Sequence, residues 1–208
     1  MKYLYEFIGT FFLVITIGMV VLEPHNIGLW APLAIGSILA VMIFAGAHVS
    51  GGHYNPAVSL AVFLRKKLSI NDLWLYWIAQ FAASIVAVFL IIYLKGGRAA
   101  QPLELHTFKA LLVEFLFTFA LCFVVLNVAT AKATVGNSYF GWAIGFTVLV
   151  GAYAIGTISS AALNPAVALG VTILNLSYWS NIWIYIIANF LGAAAAAWIF
   201  NAAHPNEV

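Results

Sequence analysis

The sequence predicts an all-α membrane protein with six transmembrane helices and two re-entrant half helices, arranged as an inverted repeat. Three observations carry that prediction. The chain is 65% hydrophobic and 7% charged, with a mean hydropathy of +1.07, whereas a soluble domain carries about 25% charge. Six apolar runs are long enough to cross a bilayer. Two copies of Asn-Pro-Ala-Val, at 55–58 and 164–167, stand 109 residues apart in a chain of 208.

The first run, 4–22, follows Met1-Lys2-Tyr3. It has the outline of a signal peptide, but Glu6 interrupts it and no small-x-small cleavage site follows, so it reads as a retained span. A polar joint, Glu23-Pro24-His25-Asn26, separates it from a second span at 31–49. A short piece, 56–64, then opens on Asn-Pro. Asn caps a helix, and Pro fits the first helical position. Nine residues at 1.5 Å each reach ~14 Å, about half of a ~30 Å hydrocarbon core. Such a piece cannot cross alone, but two meeting end to end would. Arg65-Lys66-Lys67 leads to a third span at 73–94, and a joint at 95–106 closes the first half. The second half follows the same plan: spans at 108–130 and 139–157 joined by 132–138, a short piece at 165–174, a joint at 175–180 and a last span at 179–202.

The register between the halves is nearly constant. Ala34-Ile35-Gly36 recurs as Ala143-Ile144-Gly145, and Ile78-Ala79-Gln80-Phe81 as Ile187-Ala188-Asn189-Phe190, both at an offset of 109. Glu6-Phe7 and Thr10-Phe11 recur as Glu114-Phe115 and Thr118-Phe119 at 108. Each half has three full spans, an odd number, so the second half enters the membrane from the opposite side. The expectation is one membrane domain, 1–208, built from inverted repeats at about 1–100 and 105–208. Such repeats place their sites near the midplane, where broken helices meet. Lys2, Arg65, Lys66, Lys67 and Lys132 gather on one face, against Lys95, Arg98 and Lys109 on the other. The positive-inside rule then puts both termini in the cytoplasm.

A net charge of +2 argues against nucleic acid as a partner. Cys122 is the only cysteine, so no intrachain disulfide forms, and it reads as a small buried hydrophobe. His48 and His53 lack further ligands for a metal; neither metal nor cofactor is expected. His25, His106 and His204 fall in joints or the tail and read as solvated. Gly18, Gly36, Gly145 and Gly192, with the alanines of 193–197, suit close helix packing in lipid. Trp30, Trp74, Trp142 and Trp179 lie near span ends as interfacial anchors.

The stretches 51–54 and 157–163 lead into the half helices without helical signals of their own. Irregular backbone at membrane depth must be buried in protein or line water. Two readings stay open: tight turns with no lumen, or carbonyls turned towards a permeating molecule. A helix N-terminus carries roughly +0.5 charge. Two of them facing one midpoint form a barrier to cations. The side-chain oxygens of Asn55 and Asn164 cap their own helices and leave the NH2 groups free to donate into a lumen. A water accepting from both turns its hydrogens outward, which opposes proton hopping, while neutral solutes meet little resistance. Glu6 and Glu114 lie inside spans, where a charge costs about 2.5–3.5 kcal/mol on insertion scales. They either support the loops, by accepting from loop N–H groups, or form a proton-coupling pair. His53 either fixes its loop or faces the lumen.

These residues closely resemble the aquaporin, or major intrinsic protein, family. The segment His48-Val-Ser-Gly-Gly-His-Tyr-Asn-Pro-Ala-Val58 is similar to the family's first signature, Ala162-Leu-Asn-Pro-Ala166 to its second, and Glu6-Phe-Ile-Gly-Thr-Phe-Phe12 to its opening helix. The resemblance implies an aquaporin-like fold with a pore in each subunit of a homotetramer. It makes Asn55, Pro56, Ala57, Asn164, Pro165 and Ala166 the pore motifs. The family usually has Arg after the second Asn-Pro-Ala; here Val167 stands there. By distance from the motifs, Ile35, Ala152 and Ala161 complete the family's four-residue filter. Water-selective bacterial members tend to have an aromatic, a His and a small polar residue at those three positions. The Asp that marks glycerol channels is replaced by Ala168. The quartet here implies a filter that is wider, apolar and uncharged. The function expected is passive flow of water and small neutral solutes across a cell membrane, with the lipid bilayer and other copies of the chain as partners. A secondary transporter with inverted repeats would need a charged midplane site, and a non-conducting structural member would need a blocked pore. No nucleophile–base set suggests an enzyme.

Overall fold

A computed structural model describes residues 1–24, 26–97 and 101–207. His25 and Arg98 lie outside the described residues. Among those described, the chain forms α1 (Lys2–Val21), α2 (Ala31–Ser50), α3 (Pro56–Leu64), α4 (Ile70–Lys95), α5 (Thr107–Ala129), α6 (Phe140–Ser159), α7 (Pro165–Ile173) and α8 (Ile182–Ala203). Six of these are long and apolar enough to cross a membrane. The other two, α3 and α7, have nine residues each. Helix α4 starts three residues before the apolar run because Ser69 caps it, its hydroxyl accepting from Asp72 N–H at 3.1 Å. It ends on Gly96, whose φ of 72° breaks the helix.

The two halves pack alike. Helix α1 lies against α4 and α2, and α5 lies against α8 and α6. The halves meet chiefly where α2 crosses α6. Lipid supplies no hydrophobic drive between helices, so close backbone approach through small residues does the work. Gly36 and Gly145 face each other at that crossing: a Cβ on Gly36 would fall 2.7 Å from the Gly145 carbonyl oxygen, and the reverse contact is closer still. Gly192 on α8 sits 2.7 Å, on the same measure, from the Phe115 carbonyl oxygen of α5. Cys122 is buried and free, and Trp30, Trp74, Trp142 and Trp179 are exposed near helix ends.

Two basic residues of the joints are internal. Arg65 is 1% exposed; it stacks 4.8 Å from the Phe200 ring and donates to the Glu207 carboxylate at 3.0 Å and to the Glu207 carbonyl. Lys95 is buried and donates to the carbonyls of Leu22, at 2.6 Å, and of Pro24. Lys95 meets the carbonyl of Leu22 at the C-terminal end of α1, where the peptide dipoles favour positive charge, whereas Arg65 is neutralised by the Glu207 carboxylate.

Gly145→Val should destabilise the fold by about 1–3 kcal/mol or more, because the added atoms meet backbone. Its melting temperature in detergent should fall clearly below wild type. Gly156→Ala, where an added Cβ meets nothing within 4 Å, should melt at or slightly above it.

Candidate functional site

Each half helix is preceded by a sharply bent loop. Gly51, Gly52 and Tyr54 have φ of 90°, 65° and 49°; Ser160, Ala161 and Leu163, 109 residues on, have 71°, 48° and 50°. Left-handed backbone costs a non-glycine residue roughly 1–2 kcal/mol. It persists where the surroundings over-determine it, and here buried carboxylates do so. Glu6 accepts from Ser50 Oγ (2.7 Å), His53 N–H (2.9 Å), Tyr54 N–H (2.7 Å) and Gln80 Nε2 (2.8 Å). Glu114 accepts from Ser159 Oγ (2.7 Å), Ala162 N–H (2.8 Å), Leu163 N–H (2.8 Å) and Asn189 Nδ2 (3.0 Å). Both carboxylates are fully buried. Four donors on each replace the water that a charge at this depth has lost.

The half helices begin where the loops end. Asn55 Oδ1 accepts from Ala57 N–H at 2.8 Å, and Asn164 Oδ1 from Ala166 N–H at 2.9 Å. Pro56 and Pro165 take the first helical positions. The two amide groups are not wholly free, contrary to the expectation from sequence. Asn55 Nδ2 donates to the Leu163 carbonyl and Asn164 Nδ2 to the Tyr54 carbonyl, both at 2.9 Å. Each motif thereby holds the loop of the other. One amide hydrogen on each Asn remains for a lumen. His53 does two things at once: Nδ1 bonds Ser59 Oγ at 3.1 Å, and the residue lines open space.

That open space is a cavity of about 690 Å³. It enters from the face opposite the termini and contains Asn55 and Asn164 in its wall, together with Ile35, Ala152, Ala161 and Val167. Residues 101–104, in the joint between α4 and α5, form part of its rim, fastened by Leu103 N–H to the Leu176 carbonyl at 3.1 Å. Glu104 there is the single charged residue among the described lining residues. A second cavity of about 520 Å³ opens on the face of the termini, bordered by Lys2, Lys67, Asp72 and Tyr76. Among the described residues, no cluster of ligating side chains is suited to a metal.

Sequence reasoning missed the supporting partners. Ser50 and Ser159 brace the carboxylates, and Tyr76 and Tyr185 hold the carbonyls of those serines at 2.6 and 2.8 Å. The signal was present: each pair recurs at the repeat offset of 109, as do Gln80 and Asn189.

The family model described as Major intrinsic protein matches residues 1–200. The chain belongs to the major intrinsic protein family. Proteins of this family are membrane channels, not enzymes. The chain is 34% identical to aquaporin NIP1-4 of Oryza sativa subsp. japonica over 94% of its length and 74% of the relative's. It is 35% identical to nodulin-26 of Glycine max, over 96% and 76%. Its fold matches the aquaglyceroporin of Plasmodium falciparum with a TM-score of 0.82 at 19% identity, covering 99% of this chain and 97% of that one. The major intrinsic protein fold, with its inverted repeat, is thus established for this chain.

If Glu114 holds the loop by accepting hydrogen bonds, stability should rank wild type above Glu114→Gln, and Glu114→Gln above Glu114→Ala. Glutamine keeps one accepting oxygen; alanine leaves buried donors unpaired, at about 1–3 kcal/mol each. Thermal unfolding in detergent reads the order.

Proposed function

We propose that the protein is a passive channel for water and small neutral solutes. In this reading 1–208 is one channel unit of two inverted repeats, acting in a cell membrane as a homotetramer with both termini cytoplasmic. The observation that carries the proposal is the continuity of one cavity past both Asn residues and past Ile35, Ala152, Ala161 and Val167. The names of its relatives, aquaporins, and of its structural neighbour, an aquaglyceroporin, point the same way.

The chemistry of the wall supports neutral cargo. The facing N-termini of α3 and α7 set a positive field at the midplane. The remaining amide hydrogens of Asn55 and Asn164 offer a permeating oxygen two donors. Around them the wall is apolar. Ile35, Ala152, Ala161 and Val167 are the proposed filter. Where the family usually has Arg, Val167 provides neither a rigid fork of donors to orient a hydroxyl nor a fixed positive charge. The pore therefore admits solutes larger than water and excludes protons less strictly, the two helix ends acting as the main barrier.

A carrier driven by protons is disfavoured. Glu6 and Glu114 each accept four hydrogen bonds, and neither borders either cavity.

Stopped-flow light scattering on proteoliposomes compares water with glycerol, urea and a small metalloid acid. Wild type should pass the solutes as well as water, and Val167→Arg should cut solute uptake severalfold while reducing water less. Equal solute uptake by both proteins would count against the proposed filter.

A further inference from the structure

The two cavities approach each other at one place. Among the described residues, only His53 and Val125 border both. We infer that His53 and Val125 form the size-selecting neck of this pore, on the side of the termini, and that the quartet at Ile35, Ala152, Ala161 and Val167 does not set the limit. This rests on the channel reading above and moves its size limit from the quartet, which Val167 leaves wide in place of Arg, to the neck.

The internal repeat supplies a control within the same molecule. At an offset of 109, His53 corresponds to Ala162, and at 108 Val125 corresponds to Ile17. The backbones match: His53 N–H donates to Glu6 as Ala162 N–H donates to Glu114. At Ala162 and Ile17 the large cavity is unbroken and runs on to Val171. At His53 and Val125 it stops, and open space resumes beside Val62, the repeat mate of Val171. The helix residues are of similar size, so the imidazole against a methyl group makes the difference. The half helices do not contribute one, since Val58 and Val167 are identical mates lining the same cavity.

The neck is rigid on both sides. His53 is 8% exposed; Nδ1 bonds Ser59 Oγ, and the ring meets Tyr76 edge-on at 5.2 Å between centroids. Ser59 itself donates to the Asn55 carbonyl at 3.1 Å and accepts from Gln80 Nε2 at 3.0 Å. In the other repeat the mate of Ser59 is Ala168, where no ring needs holding. Val125 is 5% exposed on α5, and a β-branched side chain in a helix has one strongly preferred rotamer. The neck thus pairs a polar imidazole with one apolar wall. It fits a small solute with a hydrogen-bonding edge and a hydrocarbon edge, such as a short polyol or an alkyl-substituted urea.

The test is proteoliposome swelling with solutes of rising cross-section: urea, glycerol, methylurea and erythritol. Val125→Ala should raise erythritol uptake severalfold relative to water, and Val125→Leu should lower glycerol uptake relative to water. His53→Ala, which copies Ala162, should act as Val125→Ala does. Monodisperse elution in detergent checks that each variant folds; should Val125→Leu fail that check, the two enlarging variants still decide. If wild type swells but its solute ranking is unchanged by these variants, or shifts only with Ala152→Leu, the neck is refuted and the channel stands. If wild-type vesicles swell no faster than empty ones in every solute, the channel reading falls, and the neck with it.

Discussion

Everything at the centre of the molecule depends on a crossed pair of hydrogen bonds. The Asn55 amide holds the Leu163 carbonyl, and the Asn164 amide holds the Tyr54 carbonyl, each at 2.9 Å. Each Asn oxygen meanwhile caps its own half helix. One side-chain type thus fixes where a helix starts and where the opposite loop stops. A backbone amide or hydroxyl buried without a partner costs roughly 1–3 kcal/mol on mutational scales. The pairing is accordingly tightly constrained. Moving either half helix strands groups on both. It also holds the two helix ends face to face, so their dipoles oppose each other across a short gap rather than being neutralised by side chains.

The carboxylates extend the same logic outward. A loop bent through left-handed residues turns several N–H groups to one side, and no helix or strand is available to take them. Glu6 and Glu114 gather those donors from adjacent spans. Gln80 and Asn189 complete the shells from α4 and α8, so each loop is tied to two long helices. The strained backbone is therefore held by the most rigid elements of the fold. This permits irregular backbone at membrane depth without water inside it.

Much of this was legible in the sequence. The offset of 109 and the count of three spans per half carry the inverted topology, because an odd number of crossings reverses direction. Asn-Pro at a short apolar run carries a helix that begins inside the membrane. An acidic residue within a span must find donors, and the nearest unmatched donors are in the adjoining loops. Other features had no such signal. Whether an amide hydrogen faces a lumen or the opposite loop depends on a distance of a few ångströms between segments 109 residues apart. Arg65 looks like a solvated member of a basic joint, yet only the return of the tail brings Glu207 and Phe200 onto it. Lys95 likewise becomes internal because the turn after α1 folds over the end of α4. The face to which a cation contributes charge cannot be counted until such partners are known.

Symmetry separates scaffold from selectivity. Where the repeats have the same residue, as at Glu6 and Glu114, Ser50 and Ser159, Tyr76 and Tyr185, or Asn55 and Asn164, the shared task is to satisfy a bent backbone, which both loops need equally. The identity of Val58 and Val167 belongs with these: it makes the two half helices present the same surface to the passage, where an Arg would have made them differ. At the half helices, then, the lining does not tell the two repeats apart. What distinction it has must come from mates that differ in bulk or polarity, and the pair that differs most on the lining is His53 and Ala162. Because the imidazole is tied through Ser59 to the start of α3, it cannot relax out of the way without disturbing the capped half helix. The asymmetry is thereby built into the same hydrogen-bonded centre that the symmetric residues maintain.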